Sequence, residues 1–475
     1  LRISVEDQEV DIMSRKQFVH PYIPNSEPGI KREMLDAIGM KSVEGIYKEI
    51  PDRLRFKGRM DLPDPIISEY SLQRHVEGLL AKNRNAKDNI CFLGGGTWNH
   101  YVPAVVETIM ERDEFLTCYV GEAYTDHGKF QTLFESSSMI GDLTGFEACC
   151  TPTYDWANAI AIACRMAKRT TGREEILVAG NMAPDRLSVV KNYCKPEMKV
   201  VKVAYHKETG MMDMTDLKSK LSDRVACVYF ENPIYLGSLE EQAADIVKAA
   251  HGAGALAMVG VDPTSLGVLE APGAYGADYA VGDLQPLGLH MMYGGGVGGF
   301  IATKDEKEFL GEYPALLFGI CKTQKEGEYG FGEVYYERTS YASREKGKDF
   351  IGTTTALHGM AAAVYMALMG PQGFQELGEG ILQRVEYAKA GLAKIKGIKI
   401  PLKGYSYCDF MVDFNGTGKT VKEINKALLE HRILGGKDIS GEFPEYGQSA
   451  LYSVTEVHTQ EDLHALFDAL KKICA

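Results

Sequence analysis

The sequence predicts an α/β protein with a mainly parallel sheet in a large domain, a helical arm before it and a small α+β domain after it. Three observations carry this. Between 174 and 304, short runs rich in Val, Ile and Ala alternate with segments of helical texture, the pattern of a sheet covered on both faces. Before 86, helical patterns are broken by prolines. After 345 the texture resets to two long helices and then strand, strand, helix, strand, helix. The expected divisions are 1–85 for an N-terminal extension and arm, 86–345 for the large domain and 346–475 for the small one.

The arm reads PYIPNSEPG, then KREMLDAIGM, then VEGIYKEI. SEYSLQRHVEGLLAKN (68–83) places Tyr70, Leu72, His75, Val76, Leu79 and Leu80 at mixed three- and four-residue spacing, an amphipathic helix started by Ser68. The first Met is Met13, so residues 1–12 read as an upstream extension outside the fold.

The large domain begins its series at ILVAG (176–180). The strands KVVKVAYH (199–206), ACVYFEN (226–232), ALAMVGVD (255–262), DYAVGD (278–283) and GGFIATK (298–304) follow. Helices over RLSVVKNYC, DLKSKLS and LEEQAADIVKAAHGAG separate the first four. Ligands of such sheets sit beyond the carboxyl ends of the strands, where Glu231, Asn232, Asp262 and Asp283 stand. In the last domain, helices over TALHGMAAAVYMALMG and FQELGEGILQRVEYAKAGLAKI precede strands IKIPL and CDFMVDF. The helix TVKEINKALLEH, the strand ALYSVTE and the helix EDLHALFDALKKI close the chain.

Composition narrows the function classes. The 475 residues are 45% hydrophobic and 25% charged, with 52 basic and 65 acidic side chains and a net charge of −13. That balance disfavours nucleic acid and anionic membranes as partners. The richest apolar run, GMAAAVYMALMG (359–370), suits a buried helix and is too short for a membrane span. The ten cysteines form no CxxC pair, which reads as reduced thiols in a cytoplasmic protein. HxH, HExxH and paired-cysteine metal patterns are absent, so no metal site is expected, and without GxSxG no Ser/His/Asp set can be assembled.

GGGVGG (294–299) contains GxGxxG, but a strand follows it. A dinucleotide loop opens a helix whose N-terminus binds the pyrophosphate. A glycine hairpin approaching a ligand or partner is the better reading. His100 and His127, each among Asn, Asp, Tyr and Gly, stand out as site histidines. Asp262 ends an apolar strand and precedes Pro263, and a carboxylate there needs a partner. That partner is either the pyridinium nitrogen of a pyridoxal cofactor or the turn PTSLG, which Asp262 would cap.

Longer stretches carry a resemblance: PYIPNSEPGIKREMLDAIG, LPDPIISEYSLQRHV, FLGGGTWNHYVPAVVE, FQTLFESSSMIGDLTG, VDPTSLGVLEAPGAYGADYAVGDLQPLG, AAAVYMALMGPQG and SVTEVHTQEDL. Through these the chain resembles the first subunit of the two-subunit glycine dehydrogenase (decarboxylating), the P-protein family of the glycine cleavage system. The resemblance implies a pyridoxal-phosphate transferase fold of type I. It implies that the lysine holding the cofactor belongs to subunit 2, and it puts Leu287 at that lysine's position here. The stretch VGDLQPLGLHMMYGGGVGGF (281–300) then has the turn and the glycine hairpin of a cofactor site without the amine. Asp262 keeps the place of the ring-binding aspartate.

The implied activity is glycine decarboxylation with transfer of the aminomethyl group to the lipoyl group of H-protein. Pyridoxal phosphate is expected on the partner subunit, in an α2β2 assembly, and this chain is expected to be inactive alone. Pocket or interface residues implied are Asn99, His100, Tyr101, Asp126, His127, Tyr154, Asp155, Asp262 and Gln285.

Three segments depart from the family pattern. PYQPEISQG is replaced by VGEAYTDHG (120–128), which brings in Asp126 and His127. The YDG turn becomes Tyr154-Asp155-Trp156. REKATSNICTNQ becomes REKGKDFIGTTT (344–355). Two alternatives follow from these changes: a paralogous subunit serving another amino acid or amine, or a purely structural subunit. An independent enzyme using Lys304 or Lys129 is a third.

Overall fold

The computed structural model describes residues 19, 22–58, 60–96, 98–116, 127–292, 298–349, 351 and 355–475. The chain divides into two units at Asn83/Arg84.

The first unit has two regular helices. Helix α1 (Pro28–Ala37) starts with Pro at its first position, and Glu27 caps it by accepting from the Ile30 N–H at 2.8 Å. Helix α2 (Glu69–Leu80) is capped by the Ser68 hydroxyl, which accepts from the Ser71 N–H. VEGIYKEI forms a short 3-10 turn, Val43–Tyr47. Among its described residues this unit buries no side chain. Ile30 and Met34 on α1 with Ile38 at its C-cap, and Leu72, Val76 and Leu79 on α2, are exposed. Helices of 10 and 12 residues are marginal in water on their own.

The second unit is built on seven strands: β1 (Ala148–Thr153), β2 (Glu175–Ala179), β3 (Lys199–Val203), β4 (Val225–Glu231), β5 (Leu256–Val261), β6 (Tyr279–Asp283) and β7 (Gly299–Thr303). Their order is β1-β7-β6-β5-β4-β2-β3, and only β7 runs against its neighbours. The five strands expected after β3's predecessor in sequence, and that predecessor itself, all form. β1 was not foreseen. Its residues ACCTPT have no alternation, and its strand character comes from pairing with β7.

Side chains alternate between the faces, as the pleat requires. Ile176, Val178, Cys227, Tyr229, Met258, Tyr279 and Val281 share one core with helix α4 (Trp156–Thr171) and helix α5 (Pro184–Cys194). Leu177, Val228, Phe230, Val259, Val261 and Ala280 share the other with helix α6 (Ala243–Gly252), Ile140 of helix α3 (His127–Thr144) and the first half of helix α7 (Ala356–Leu392). Helix α7 merges the two expected helices. They meet at Gly370, whose φ of 59° only glycine adopts readily, followed by Pro371.

A hairpin of β8 (Leu317–Lys322) and β9 (Tyr329–Val334) lies on α3 through Phe130–Phe318 and Phe134–Phe331 ring contacts. The terminal part has a three-stranded antiparallel sheet. It is made of β10 (Asp409–Asp413), β11 (Lys437–Asp438) and β12 (Ser449–Ser453), in the order β10-β12-β11. Helices α8 (Val421–Glu430) and α9 (Gln460–Ile473) each begin with a capping box, Thr420/Glu423 and Thr459/Asp462. IKIPL is not a strand. Only Lys399 pairs, as a single bridge to Asp413, and Pro401 removes the donor that a ladder would need.

One connection places the site. Ile90–Cys91 pairs in parallel with Ile433–Leu434, and Leu93 bridges Tyr452. The buried His458 ring stacks on Phe92 at 4.7 Å, accepts from the Thr455 N–H at Nδ1 and donates from Nε2 to the Cys91 carbonyl. Residues 94–96 and 98–100 are thereby delivered against the terminal sheet. A side chain at Gly94 would strike Asp409 Oδ1 at 2.6 Å, which accounts for a glycine there.

Candidate functional site

The register pairs Glu231 with Gly260 and Val261 with Gly282, so Glu231, Asp262 and Asp283 reach the same edge of the sheet. Asp262 is 2% exposed. Its Oδ1 accepts from the Thr264 N–H at 2.9 Å and the Thr264 hydroxyl at 2.8 Å, capping the 3-10 turn Pro263–Gly267. Its Oδ2 is buried with no hydrogen-bond partner. One oxygen caps the turn, and the other is left for something else. Burial raises the Asp262 pKa above the ordinary carboxylate value.

His100 is buried in the loop that precedes Pro103. Its Nδ1 donates to Glu456 Oε2 at 2.9 Å, while Nε2 is buried without a partner. Burial opposes charge on the ring. Glu456, with Asp262 and Asp409 behind it, outweighs this and raises the His100 pKa. Glu456 Oε1 also accepts from the Tyr101 N–H at 2.7 Å. The Asn99 carbonyl accepts from the Thr455 hydroxyl, and the Tyr101 ring is exposed. Asn99 and Tyr101 thus contribute backbone atoms to a clamp between the loop and the terminal part.

At the start of α4, Asp155 is the N-cap, and its Oδ1 accepts from the Asn158 N–H at 2.6 Å. The Tyr154 N–H bonds to Asn158 Oδ1, and its ring is exposed. Trp156 is buried. A Cβ on Gly260 would come within 3.1 Å of Trp156 Cζ2 and 2.3 Å of the Tyr229 hydroxyl, so the indole occupies the space that this glycine opens. On the ring lies the guanidinium of Arg186, from α5, 3.9 Å from the centroid. Arg186 is 7% exposed, and its Nε is 3.4 Å from Glu231 Oε1. Glu231 also accepts from the Tyr229 hydroxyl at 2.9 Å.

Leu287 is fully buried, in the core that holds Leu284, Leu289 and Tyr365. Gln285 is buried as well. Its N–H bonds to Asp283 Oδ1, and its Nε2 donates to the Trp98 and Leu289 carbonyls. It ties the turn to the His100 loop. Asp409, on β10, accepts from the Gly95 N–H at 3.1 Å, and burial pushes its pKa up to about 7. Lys304 lies 3.7 Å from Asp278, at the opposite edge of the sheet from Asp283, and so cannot reach this site.

The structure thus gathers His100, Asp155, Asp262 and Gln285 around the strand ends. It leaves the rings of Tyr101 and Tyr154 exposed. Asp126 lies outside the described residues, as do the rest of 117–126, and 293–297, 350 and 352–354. His127 is the first residue of α3. Asp349 accepts from Arg165 Nε and Arg169 Nη1, each at 2.6 Å, which pins the chain there to α4.

The family model described as Glycine cleavage system P-protein matches residues 20–470. The chain belongs to the glycine cleavage system P-protein family. It is 36% identical to the probable glycine dehydrogenase (decarboxylating) subunit 1 of Staphylothermus marinus, over 96% of this chain and 98% of that protein. It is 38% identical to the protein of the same description from Pyrococcus horikoshii, over 95% and 99%. A solved glycine decarboxylase (P-protein) of the glycine cleavage system, in inhibitor-bound form, superposes with a TM-score of 0.82. It is 34% identical, over 94% of this chain and 98% of that one. A NifS-like protein, with a TM-score of 0.61 and 14% identity over 81% and 99%, shares the fold alone.

The pyridoxal-phosphate transferase type I fold is therefore established, and P-protein family membership raises whether this chain's residues fit that cofactor. The unpartnered Oδ2 of Asp262 suits a protonated ring nitrogen. The rest does not fit. Leu287 offers no amine. The N-terminus of α4, where a helix favours phosphate, is taken by the Asp155 carboxylate. Trp156 and Arg186 are stacked on each other beside it. No step through the cofactor is assigned to these residues.

Reading the sequence did not single out Arg186, Asp409, Glu456 or Trp98 as site residues of this P-protein family member. Glu456 and Asp409 close the strands ALYSVTE and begin CDFMVDF, where an acid beside an apolar run was a usable signal. Arg186 opens an ordinary-looking helix and gave none.

Proposed function

We propose that this chain is the cofactor-free first subunit of a two-subunit glycine decarboxylase, inactive alone. The second subunit supplies pyridoxal phosphate and its lysine, and the aminomethyl group passes to the lipoyl group of H-protein. The observation that carries this reading is Leu287, sealed in the core in the turn that follows Asp283. A hydrocarbon side chain cannot form the bond that holds the cofactor. The Asp155 cap at the start of α4 supports it by opposing a phosphate.

An α2β2 assembly is supported by the arm. Its helices α1 and α2 present apolar stripes and have no core of their own, so a permanent partner surface would stabilise them. A cytoplasmic setting is supported by nine unpaired cysteines among the described residues. No helix among the described residues is long and apolar enough to cross a membrane.

The test is reconstitution. The purified chain is mixed with pyridoxal phosphate and reduced with borohydride, then combined with the second subunit and H-protein and assayed for glycine–bicarbonate exchange. Exchange only with both chains, and no adduct on this one, is expected. A reduced adduct on this chain together with turnover in isolation would overturn the reading.

A further inference from the structure

Residues 335–349, which follow β9, carry backbone strain. Among the described residues five non-glycine positions have positive φ, and three of them fall here: Tyr335 at 53°, Arg344 at 53° and Asp349 at 45°. Arg344 combines this with a ψ of −122°, outside the left-handed well that Tyr335 occupies at ψ 39°. Such backbone costs an L-residue free energy at each position and persists only where its surroundings enforce it. Burial does not enforce it here, since only Thr339 in the segment is buried.

Polar contacts at two points hold the segment instead. At the first, Arg338 donates from Nη1 to the Tyr313 carbonyl at 2.7 Å and from Nη2 to the Ala315 carbonyl at 2.6 Å. Tyr313 and Ala315 precede β8 and Arg338 follows β9, so these two bonds close the base of the hairpin. At the second, the Asp349 carboxylate, 10% exposed, takes Arg165 on one oxygen and Arg169 on the other. Lys348 pairs with Glu312, which also pairs with Arg169. Charge-assisted bonds of this kind are the strong ones. The hairpin itself has little else. A two-stranded hairpin is marginal alone, and the rings of β8 and β9 meet the fold at Phe130 and Phe134 of α3.

We propose that residues 335–349 are a strained strap across the base of the β8–β9 hairpin, latched shut by Asp349 on Arg165 and Arg169, and that strap and hairpin open together as one unit while the seven-stranded sheet stays folded. Cutting the latch lets the backbone at Arg344 relax. Arg338 then leaves the two carbonyls, and the hairpin is freed at its base. The opening is a property of this chain alone.

Native-state hydrogen exchange of the full chain, read by mass spectrometry on its peptides, tests this. Asp349→Asn keeps the side chain's shape and tolerates positive φ but loses the charge. In that variant, peptides from 317–334 and from 335–349 are expected to exchange about tenfold faster than in the parent, with β4 and β5 unchanged. Arg344→Gly is compared with Arg344→Ala, since both lack the side chain and only glycine accepts the backbone. Strap peptides are expected to exchange at least about threefold slower in the glycine variant than in the alanine one. Parent rates in Asp349→Asn would overturn the proposal. So would a faster strap beside an unchanged hairpin, an equal rise in β4 and β5, or equal strap rates in the two Arg344 variants.

Discussion

Arg186 lies between Trp156 and Glu231, its guanidinium stacked 3.9 Å from the indole centroid and its Nε 3.4 Å from the carboxylate. Both charges are buried, so neither can be solvated if the other is lost. Burial raises the Glu231 pKa, and Arg186 is the cation that opposes this. Arg186→Met is expected to cost about 3–5 kcal/mol in urea unfolding, because it strands Glu231. Adding Glu231→Gln should recover much of that. A single variant as stable as the parent would show that the pair contributes nothing.

Asp409 sets a pH dependence. Its folded pKa of about 7 stands above the ordinary 3.8, because burial disfavours the carboxylate. The folded chain therefore holds a proton that the unfolded chain has released. Stability from this group is fully present below about pH 4, falls as pH rises and levels off above about 7. Asp409→Asn should remove that decline and leave the chain more stable at pH 8 by up to about 4 kcal/mol. His458 works in the other direction. Burial lowers its pKa from 6.5, so its contribution is lost as pH falls below that value. Unfolding measured from pH 5 to 8 should retain this acid limb in the Asp409→Asn variant.

Gly260 is required by packing. A methyl group there would meet the Tyr229 hydroxyl at 2.3 Å and Trp156 Cζ2 at 3.1 Å, in a strand buried on both faces. Gly260→Ala is expected to cost about 1–3 kcal/mol through overpacking. Thermal unfolding of Gly260→Ala, alone and with Trp156→Leu, checks this. The added methyl should cost less in the second background.

Leu287→Lys supplies an amine at the position proposed for the cofactor lysine, but not the surroundings that a reactive amine needs. The new ammonium would lie among Leu284, Leu289 and Tyr365, and burial would drive it neutral or force the turn open. The expected result is a less stable chain with no borohydride-fixed cofactor. Mass spectrometry of the reduced protein reads this directly.

The sheet was legible because its strands are buried on both faces and read as apolar runs, ALAMVGVD most clearly. The ends of those runs also located Asp262 and Asp283. The hairpin β8–β9 was not legible. LFGICK and YGFGEV are interrupted by glycines and half-exposed, and they form strands by pairing with each other and packing on α3. IKIPL had strand composition, but its proline and its position leave one bridge. The site was legible only in part for a different reason. His100 meets Glu456 across 356 residues of chain, and Asp409 meets Gly95 across 314. No local pattern encodes such pairs. Arg186 was hidden by standing in a helix whose other residues explain the helix.

The sealed position of Leu287 bears on how such a chain could change over generations. A single codon change there yields an amine with nowhere to go. A useful one would need Asp155 withdrawn from the helix start and Trp156 exchanged for something smaller at the same time. Each of those steps alone weakens the protein and brings no catalytic return. Under the proposed function, dependence on a second subunit would therefore act as a ratchet, a division of labour between two genes that selection can refine far more easily than undo.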